Sequence, residues 1–314
     1  MKKVWLIGSG MMTREYIKVL DELGTDYIVI GRGEDAVNEV KELTSKSVIA
    51  GGLEKFLDGS PELVDHAIVA TPVETLLDCT KQLIEYGVKN ILVEKPGVVN
   101  REELVQLLNL NHLYRTNILL AYNRRFYSSV LKLKELVNSE GGIKSCHFEF
   151  TEWSHRIQDL KKDKNVMQKW FLGNSTHVVD TVFYLIGKPK ELSSHTRGSL
   201  NWHKSASIFC GSGITDKDIL FSYNSNWESA GRWSIEVSTN MNRYILRPME
   251  ELKVINRGTT KVLDVNMDSA LDKQFKPGLF LQTEKFLDDD LKLHCDLDDI
   301  SNYMDIYYSI ANYK

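Results

Sequence analysis

Two hydrophobic periodicities divide the chain. Through about residue 122, short apolar runs alternate with longer stretches whose apolar positions recur at helical spacing. Residues 3–7, 27–30, 47–50, 66–70, 90–93 and 117–121 read as strands, and residues 11–23, 35–43, 73–86 and 101–111 as helices between them. Strand-helix repeats of this length are what parallel pairing requires, so the pattern predicts a doubly wound α/β sheet. After Asn123 a helix over 127–138 runs into Gly141-Gly142, and a two-residue alternation rich in aromatics takes over at 144–153, 191–196, 205–209, 218–227 and 233–238. Strands clustered in this way predict a largely antiparallel sheet, accompanied by helices at 175–186, 279–289 and 298–313. The expectation is therefore a doubly wound Rossmann domain over 1–122 and an α+β domain over 123–314. The last helix is allowed to pack back on the first domain.

Composition narrows the function classes. At 314 residues the chain exceeds one ordinary core. With 42% hydrophobic and 26% charged residues and a net charge of -4, it reads as neither disordered nor polyanion-binding, so nucleic acid is not an expected partner. The apolar run after Lys2-Lys3 is too short for a signal peptide or a membrane span, and a cytoplasmic protein with no membrane partner is expected. Cys79, Cys146, Cys210 and Cys295 are far apart and lie in no metal-ligand spacing, which predicts reduced thiols and no metal.

Candidate chemistry begins where strands end. Gly8-Ser9-Gly10 follows the first strand and leads through Met11 and Met12 into a helix. Gly8 suits the tight turn, and Gly10 suits close approach of backbone N–H groups to a pyrophosphate. Thr13 stands where a third glycine is usual, so this motif alone also fits an ordinary turn. In an open α/β sheet ligands bind beyond the carboxyl ends of the strands. Those positions here carry Thr71-Pro72, Glu94-Lys95-Pro96-Gly97 and Tyr122-Asn123-Arg124-Arg125-Phe126.

In this order and spacing, and with Asn174-Ser175-Thr176-His177-Val178-Val179-Asp180 further on, these pieces resemble the glucose-fructose oxidoreductase / inositol dehydrogenase / MocA (Gfo/Idh/MocA) family, of which Glu94-Lys95-Pro96 is the most distinctive mark. The resemblance implies that Lys95 contacts substrate near a nicotinamide and that the Lys95-Pro96 bond is cis. A partly desolvated ammonium there would favour negative character on the reacting oxygen; a solvated loop lysine is the plainer alternative. It also implies that His177 is the general acid or base, a task that imidazole suits, with a satisfied core histidine as the alternative. Asp180 would orient His177, contact substrate or make an interdomain polar contact. Where many members of the family carry an aspartate four residues before this histidine, this chain has Gly173. Asn174 beside it reads equally as a contact to a sugar hydroxyl and as a helix cap.

The second strand ends in Ile30-Gly31-Arg32-Gly33, without the acid that NAD enzymes turn to the ribose. Gly31 and Arg32 favour NADP through a 2′-phosphate contact, whereas Arg32 stacked on adenine or facing solvent would suit NAD. Asn123, Arg124, Arg125 and Trp153 are expected substrate contacts, with Tyr122, Trp170, Asn226, Trp227, Arg232 and Trp233 of similar character. Aromatic faces and planar donors suit a polyhydroxylated ring, and the arginines suit a phosphate or carboxylate on it; packing roles compete for several of them. The expected activity is hydride transfer between nicotinamide and a hydroxyl or keto carbon of a sugar or nucleotide-sugar-like substrate, with Lys95 and His177 catalytic. The alternatives are an imine or bilin-type C=N or C=C reductase and a non-catalytic dinucleotide-binding regulator, the latter disfavoured by the presence of both Lys95 and His177. By resemblance, the C-terminal sheet would join the chain into a homodimer or homotetramer.

Overall fold

A computed structural model describes residues 2–314. The first sheet is built from β1 (Lys3–Ile7), β2 (Asp26–Ile30), β3 (Ser47–Ile49), β4 (His66–Val69), β5 (Asn90–Val93) and β6 (Asn117–Leu120), all parallel, in the order 3-2-1-4-5-6. The connections are α1 (Met11–Glu22), α2 (Glu34–Lys41), α3 (Gly52–Asp58), α4 (Val73–Tyr86) and α5 (Arg101–Tyr114). Helices on both faces leave the central strands no wet side, which is why β4 and β5 are buried at every position. Tyr16, Ile17, Val19 and Leu20 of α1 pack on Val4, Leu6, Ile68 and Leu92 of the sheet. Each such side chain contributes about 1.5–3 kcal/mol by burial. Among these connections α3 is absent from the sequence reading, because it buries a single apolar side chain, Leu53, too little to show as a periodicity.

The second unit holds α6 (Ser128–Ser139), β7 (Ser145–Glu149), α7 (Ser154–Ile157), α8 (Lys164–Gln168), a π-helical turn at Phe171–Ser175 and α9 (Thr176–Ile186). Then follow β8 (Pro189–Arg197), β9 (Ile208–Thr215), β10 (Leu220–Asn226), β11 (Ser234–Ser238), β12 (Asn242–Leu246), β13 (Lys253–Asn256) and β14 (Leu263–Asp264). These form an eight-stranded sheet ordered 14-13-12-11-7-10-9-8. It is antiparallel except for β7 beside β10, a parallel pair made possible by the long helical crossover between them. Phe148, Phe221, Tyr223 and Phe183 interlock beneath it, while His147 and Leu220 are exposed.

The chain closes with α10 (Ala270–Gln274), α11 (Leu279–Leu287), β15 (Cys295–Asp296) and α12 (Leu297–Ala311). Residues 2–123 and 273–301 form one compact unit, and 124–272 with 302–314 the other. The returning segment is an addition to the expected 1–122 and 123–314 layout. In the first unit α11 supplies Leu279, Phe286 and Leu287 to the core, and β15 pairs antiparallel with β6. Among the described residues no helix is long and apolar enough to cross a membrane.

Two strand readings shift. The strand expected at 205–209 starts at Ile208 and runs on through Gly211 and Gly213, whose missing side chains leave room for the rings of Tyr223 and Phe221. The strands β12 to β14 were not expected, because their short polar segments carry little alternation.

The first turn carries a strict steric demand. Gly8 has φ of +126°, and a Cβ there would lie 2.4 Å from the carbonyl oxygen of Ala70. Gly8→Ala is expected to cost at least about 1–3 kcal/mol, read as a lower urea midpoint; an unchanged midpoint would mean that the turn relaxes freely.

Candidate active site

The parallel strands stop at one level. Ile7 is level with Ile30 and Val69, Val69 with Val93, and Val93 with Leu120, so the residues that follow each strand form a continuous edge. Gly8 donates its N–H to Ile30, Ala70 to Ile7, Glu94 to Val69 and Ala121 to Val93, which holds these turns against the sheet.

Over this edge α1 starts at Gly10 with no side-chain cap and no acidic residue in its first turn. Its N-terminal partial positive charge is therefore not neutralised locally. The glycines on either side of Ser9 differ in kind. Gly8 must be glycine for the fold, whereas a Cβ on Gly10 would meet nothing within 4 Å. The open space over Gly10 is what a phosphate approaching the first amides needs. Met11 is 84% exposed, while Met12 packs on the core, so its side chain is turned away from that space. Thr13 is fully buried against Gly8, filling the position of the missing third glycine.

Gly31 is closed to any side chain. A Cβ there would lie 2.4 Å from Cγ2 of Val37 and 3.0 Å from Cβ of Ser9, so no carboxylate can stand at that position. Arg32 follows it, exposed, with its backbone carbonyl bonded by Gly51 N–H. Thr71 is half-buried, and Pro72 precedes the first turn of α4. Glu94 accepts a hydrogen bond from the Tyr16 hydroxyl at 3.1 Å. Burial pushes its carboxyl above the ordinary range, against the opposing pull of Lys95, Tyr16 and Lys276. Lys95 is half-buried, and the Lys95-Pro96 bond is cis. Asn123 donates its side-chain amide to the Pro277 carbonyl at 2.9 Å, a tie to the returning segment.

In the second unit His177 lies on the first turn of α9, 5% exposed, with its ring centroid 6.1 Å from that of Trp233. Arg125 and Asp180 form a buried two-pronged ion pair, Nε to Oδ2 at 2.9 Å and Nη2 to Oδ1 at 2.6 Å. Both were expected to face substrate, and Asp180 alternatively to make an interdomain contact. Their charges are turned on each other within one unit, with the Arg125 guanidinium also 4.9 Å from the Tyr184 ring.

Asn174 does not cap α9, which has no side-chain cap. Its amide instead donates to both carboxylate oxygens of Glu152, at 2.9 and 3.0 Å. Glu152 also accepts from the Ser175 hydroxyl at 2.8 Å and from Arg232 Nη1 at 3.0 Å. It is 1% exposed, and burial raises its carboxyl above the ordinary range despite these partners. Sequence reasoning missed this residue because it was absorbed into a strand expected to run to residue 153, whereas β7 stops at Glu149. A charged residue just past a strand end, at Thr151-Glu152-Trp153, was the available signal. Trp153 is 39% exposed, with its indole N–H on the Gly231 carbonyl. Trp227 is fully buried and bonded to the Phe150 carbonyl, a packing residue.

Removing one member of the buried pair should cost about 3–5 kcal/mol, because it strands the other charge. Asp180→Ala and Arg125→Met are each expected to show that loss in chemical denaturation, and the double variant much less than the sum. Strictly additive losses would mean that the two residues stabilise the unit independently.

The family model described as "Oxidoreductase family, NAD-binding Rossmann fold" (GFO_IDH_MocA) matches residues 2–114. No curated protein sequence matches the chain. Among solved structures, UDP-N-acetylglucosamine 3-dehydrogenase GnnA from Acidithiobacillus ferrooxidans is similar at TM-score 0.76 and 14% identity, covering 99% of this chain and 97% of that one. An oxidoreductase from Agrobacterium radiobacter, in complex with NAD+, L-tartaric acid and magnesium, is similar at 0.80 and 12%, covering 99% and 96%. The WlbA dehydrogenase from Chromobacterium violaceum, in complex with NADH and UDP-GlcNAcA, is similar at 0.73 and 13%, covering 99% and 93%. These likenesses establish the two-sheet fold, and the family model establishes the nucleotide-binding half. Residues 2–114, which carry the glycine turn, the level strand ends and Glu94-Lys95-Pro96 on one edge, match the Gfo/Idh/MocA oxidoreductase family model and form an NAD-binding Rossmann domain.

Proposed function

We propose that the protein moves a hydride between a nicotinamide dinucleotide, NADP in preference to NAD, and a hydroxyl- or keto-bearing carbon of a sugar-like substrate. The observation that carries this reading is the uncapped N-terminus of α1 above the open space at Gly10, on the same sheet edge as Lys95. The backbone amides from Ser9 to Met12 would hold the pyrophosphate, and Thr71, Pro72 and Glu94 would border the rest of the cofactor. When bound, the nicotinamide supplies or accepts the hydride.

For the phosphate on the adenosine ribose, Arg32 offers a planar fork where Gly31 excludes the competing carboxylate. Lys95 would hydrogen-bond the substrate oxygen and stabilise its negative character as the carbon-hydrogen bond breaks. His177 would take the hydroxyl proton in oxidation and return it in reduction, worth about 10²- to 10⁴-fold for a well-placed group. Trp153, which is 39% exposed, would border the sugar. UDP-sugar dehydrogenases among the structures of similar fold favour a sugar, free or nucleotide-linked.

Titration with NADPH and NADH, followed by nicotinamide fluorescence, tests the cofactor. NADPH should bind at least tenfold more tightly, a preference that Arg32→Ala should abolish while NADH binding is retained. Equal affinities in the unaltered protein would refute the 2′-phosphate contact. Gly10→Ala should weaken both cofactors at least tenfold at little cost in stability. For the chemistry, Lys95→Met and His177→Asn should each lower kcat at least 100-fold on a sugar oxidised by the unaltered protein, with cofactor affinity unchanged. Retained turnover in either variant would remove that residue from the mechanism.

A further inference from the structure

Arg124 carries a charge that the protein does not neutralise by contact. Its Nε is buried with no hydrogen-bond partner, and its guanidinium lies 4.4 Å from the Trp233 ring centroid and 5.6 Å from that of Tyr127. Glu250 and Glu152 act on it as nearby charges rather than as hydrogen-bond acceptors. Burial and the neighbouring Arg232 both work against its charged form. Arg124 is half-buried, and a guanidinium has five N–H donors in a fixed fork and does not deprotonate in proteins, so its buried Nε still lacks an acceptor.

A second guanidinium meets the same ring. Arg232 lies 4.3 Å from the Trp233 centroid and 4.8 Å from that of Trp153, and 41% of its side chain is exposed. One of its donors goes to Glu152. That carboxylate also accepts from Asn174 and Ser175, and the remaining donors of Arg232 have no acceptor on it. Arg156 continues the series, 4.7 Å from the Trp153 ring.

The stacking orients these cations without using their hydrogen-bonding edges, because an aromatic face engages the plane of a guanidinium. If the arginines served packing alone, one positive charge per ring would suffice; two on Trp233 add repulsion. What compensates both is a group with several anionic oxygens, which accepts from two forks at once.

We propose that Arg124 and Arg232 bind an anionic group of the substrate, a carboxylate or a phosphate, and so restrict the enzyme to acidic sugars or sugar phosphates. This rests on the reading of the second unit as the substrate-binding one. His177 adjoins the same Trp233 ring, so the anion contact and the proposed proton-exchanging group share one wall of that unit. Arg125 is excluded from this role by its pairing with Asp180.

The test is direct binding to the full-length protein, followed by tryptophan fluorescence and calorimetry without turnover. The probes are D-glucuronate, D-glucose 6-phosphate and D-glucose, with and without saturating NADPH. One of the two charged sugars should bind at least tenfold more tightly than glucose, and the one that does identifies the group as carboxylate or phosphate. Arg232→Met, with its folding checked by chemical denaturation because Glu152 loses a partner, should reduce that gap below threefold. Arg124→Lys should retain charge yet weaken the charged probe at least fivefold, because the fork is lost. Identical titrations of charged and neutral sugars, no response to any probe, or a gap that survives in Arg232→Met would each overturn the proposal. Since no hydride transfer is measured, a protein that binds the charged sugar selectively but never reduces or oxidises it would count against the dehydrogenase reading alone.

Discussion

The register of the parallel sheet is the constraint from which the nucleotide-binding half follows. Parallel strands can be in register only if each crossover returns the chain to the same starting edge, and the opposite edge is then level as well. Ile7, Ile30, Val69, Val93 and Leu120 lie on that level, and so the turns after them are neighbours although they are dispersed over more than a hundred positions. Few side chains are needed to make that edge receptive. Gly8 lets the backbone turn beneath Ala70, Gly31 brings the second turn against Ser9, and Gly10 keeps the helix end clear. Tyr16 then ties α1 to Glu94, so the helix that would hold a phosphate is fastened to the turn that carries Lys95.

The second unit is organised by buried charge. Asp180, on α9 one turn beyond His177, is neutralised by Arg125, and Glu152 gathers Asn174, Ser175 and Arg232. Such arrangements are costly to desolvate and contribute little net stability against an apolar replacement, but once formed they tolerate no missing partner. Their effect is to specify geometry. The segment before α9 is a π-helical turn, irregular backbone that positions Asn174 and Ser175 on Glu152. A Cβ on Gly173 would meet nothing within 4 Å, so steric exclusion does not explain the absence of a carboxylate there. The carboxylate beside Asn174 is that of Glu152, which follows another strand.

Much of this was legible in order along the chain. The alternation of apolar runs with helical stretches located the six parallel strands, because the central ones are buried on both faces and so apolar along most of their length. Less was legible in the second unit. Gly211 and Gly213 lie past the strand expected at 205–209, yet they belong to β9 and are glycines because aromatic rings of the neighbouring strand occupy their space. Pairwise commitments were not legible at all. Nothing local to Asn174 reveals that its partner is Glu152, 22 residues away, or that Asp180 is held by Arg125, 55 residues away. The return of α11 to the first core was equally hidden, since an amphipathic helix declares that it has a buried face without declaring which core receives it.

Arg124 and Arg125 show why residue type alone does not assign a role. They are adjacent in a short 3₁₀ turn over Asn123–Phe126, and their side chains leave it in different directions. Arg125 reaches a fully buried carboxylate, which engages the Nε–Nη2 edge of its fork and makes it structural. Arg124 reaches an aromatic face, which engages the plane and leaves the edges available. The same cation is thus satisfied in one setting and incomplete in the other. The difference lies in what the turn places opposite each side chain, Asp180 on α9 for one and Trp233 at the start of β11 for the other. A half-buried guanidinium whose Nε has no acceptor carries a free-energy cost that a group from outside the protein would relieve, which makes the acceptor missing from Arg124 informative about what the second unit binds.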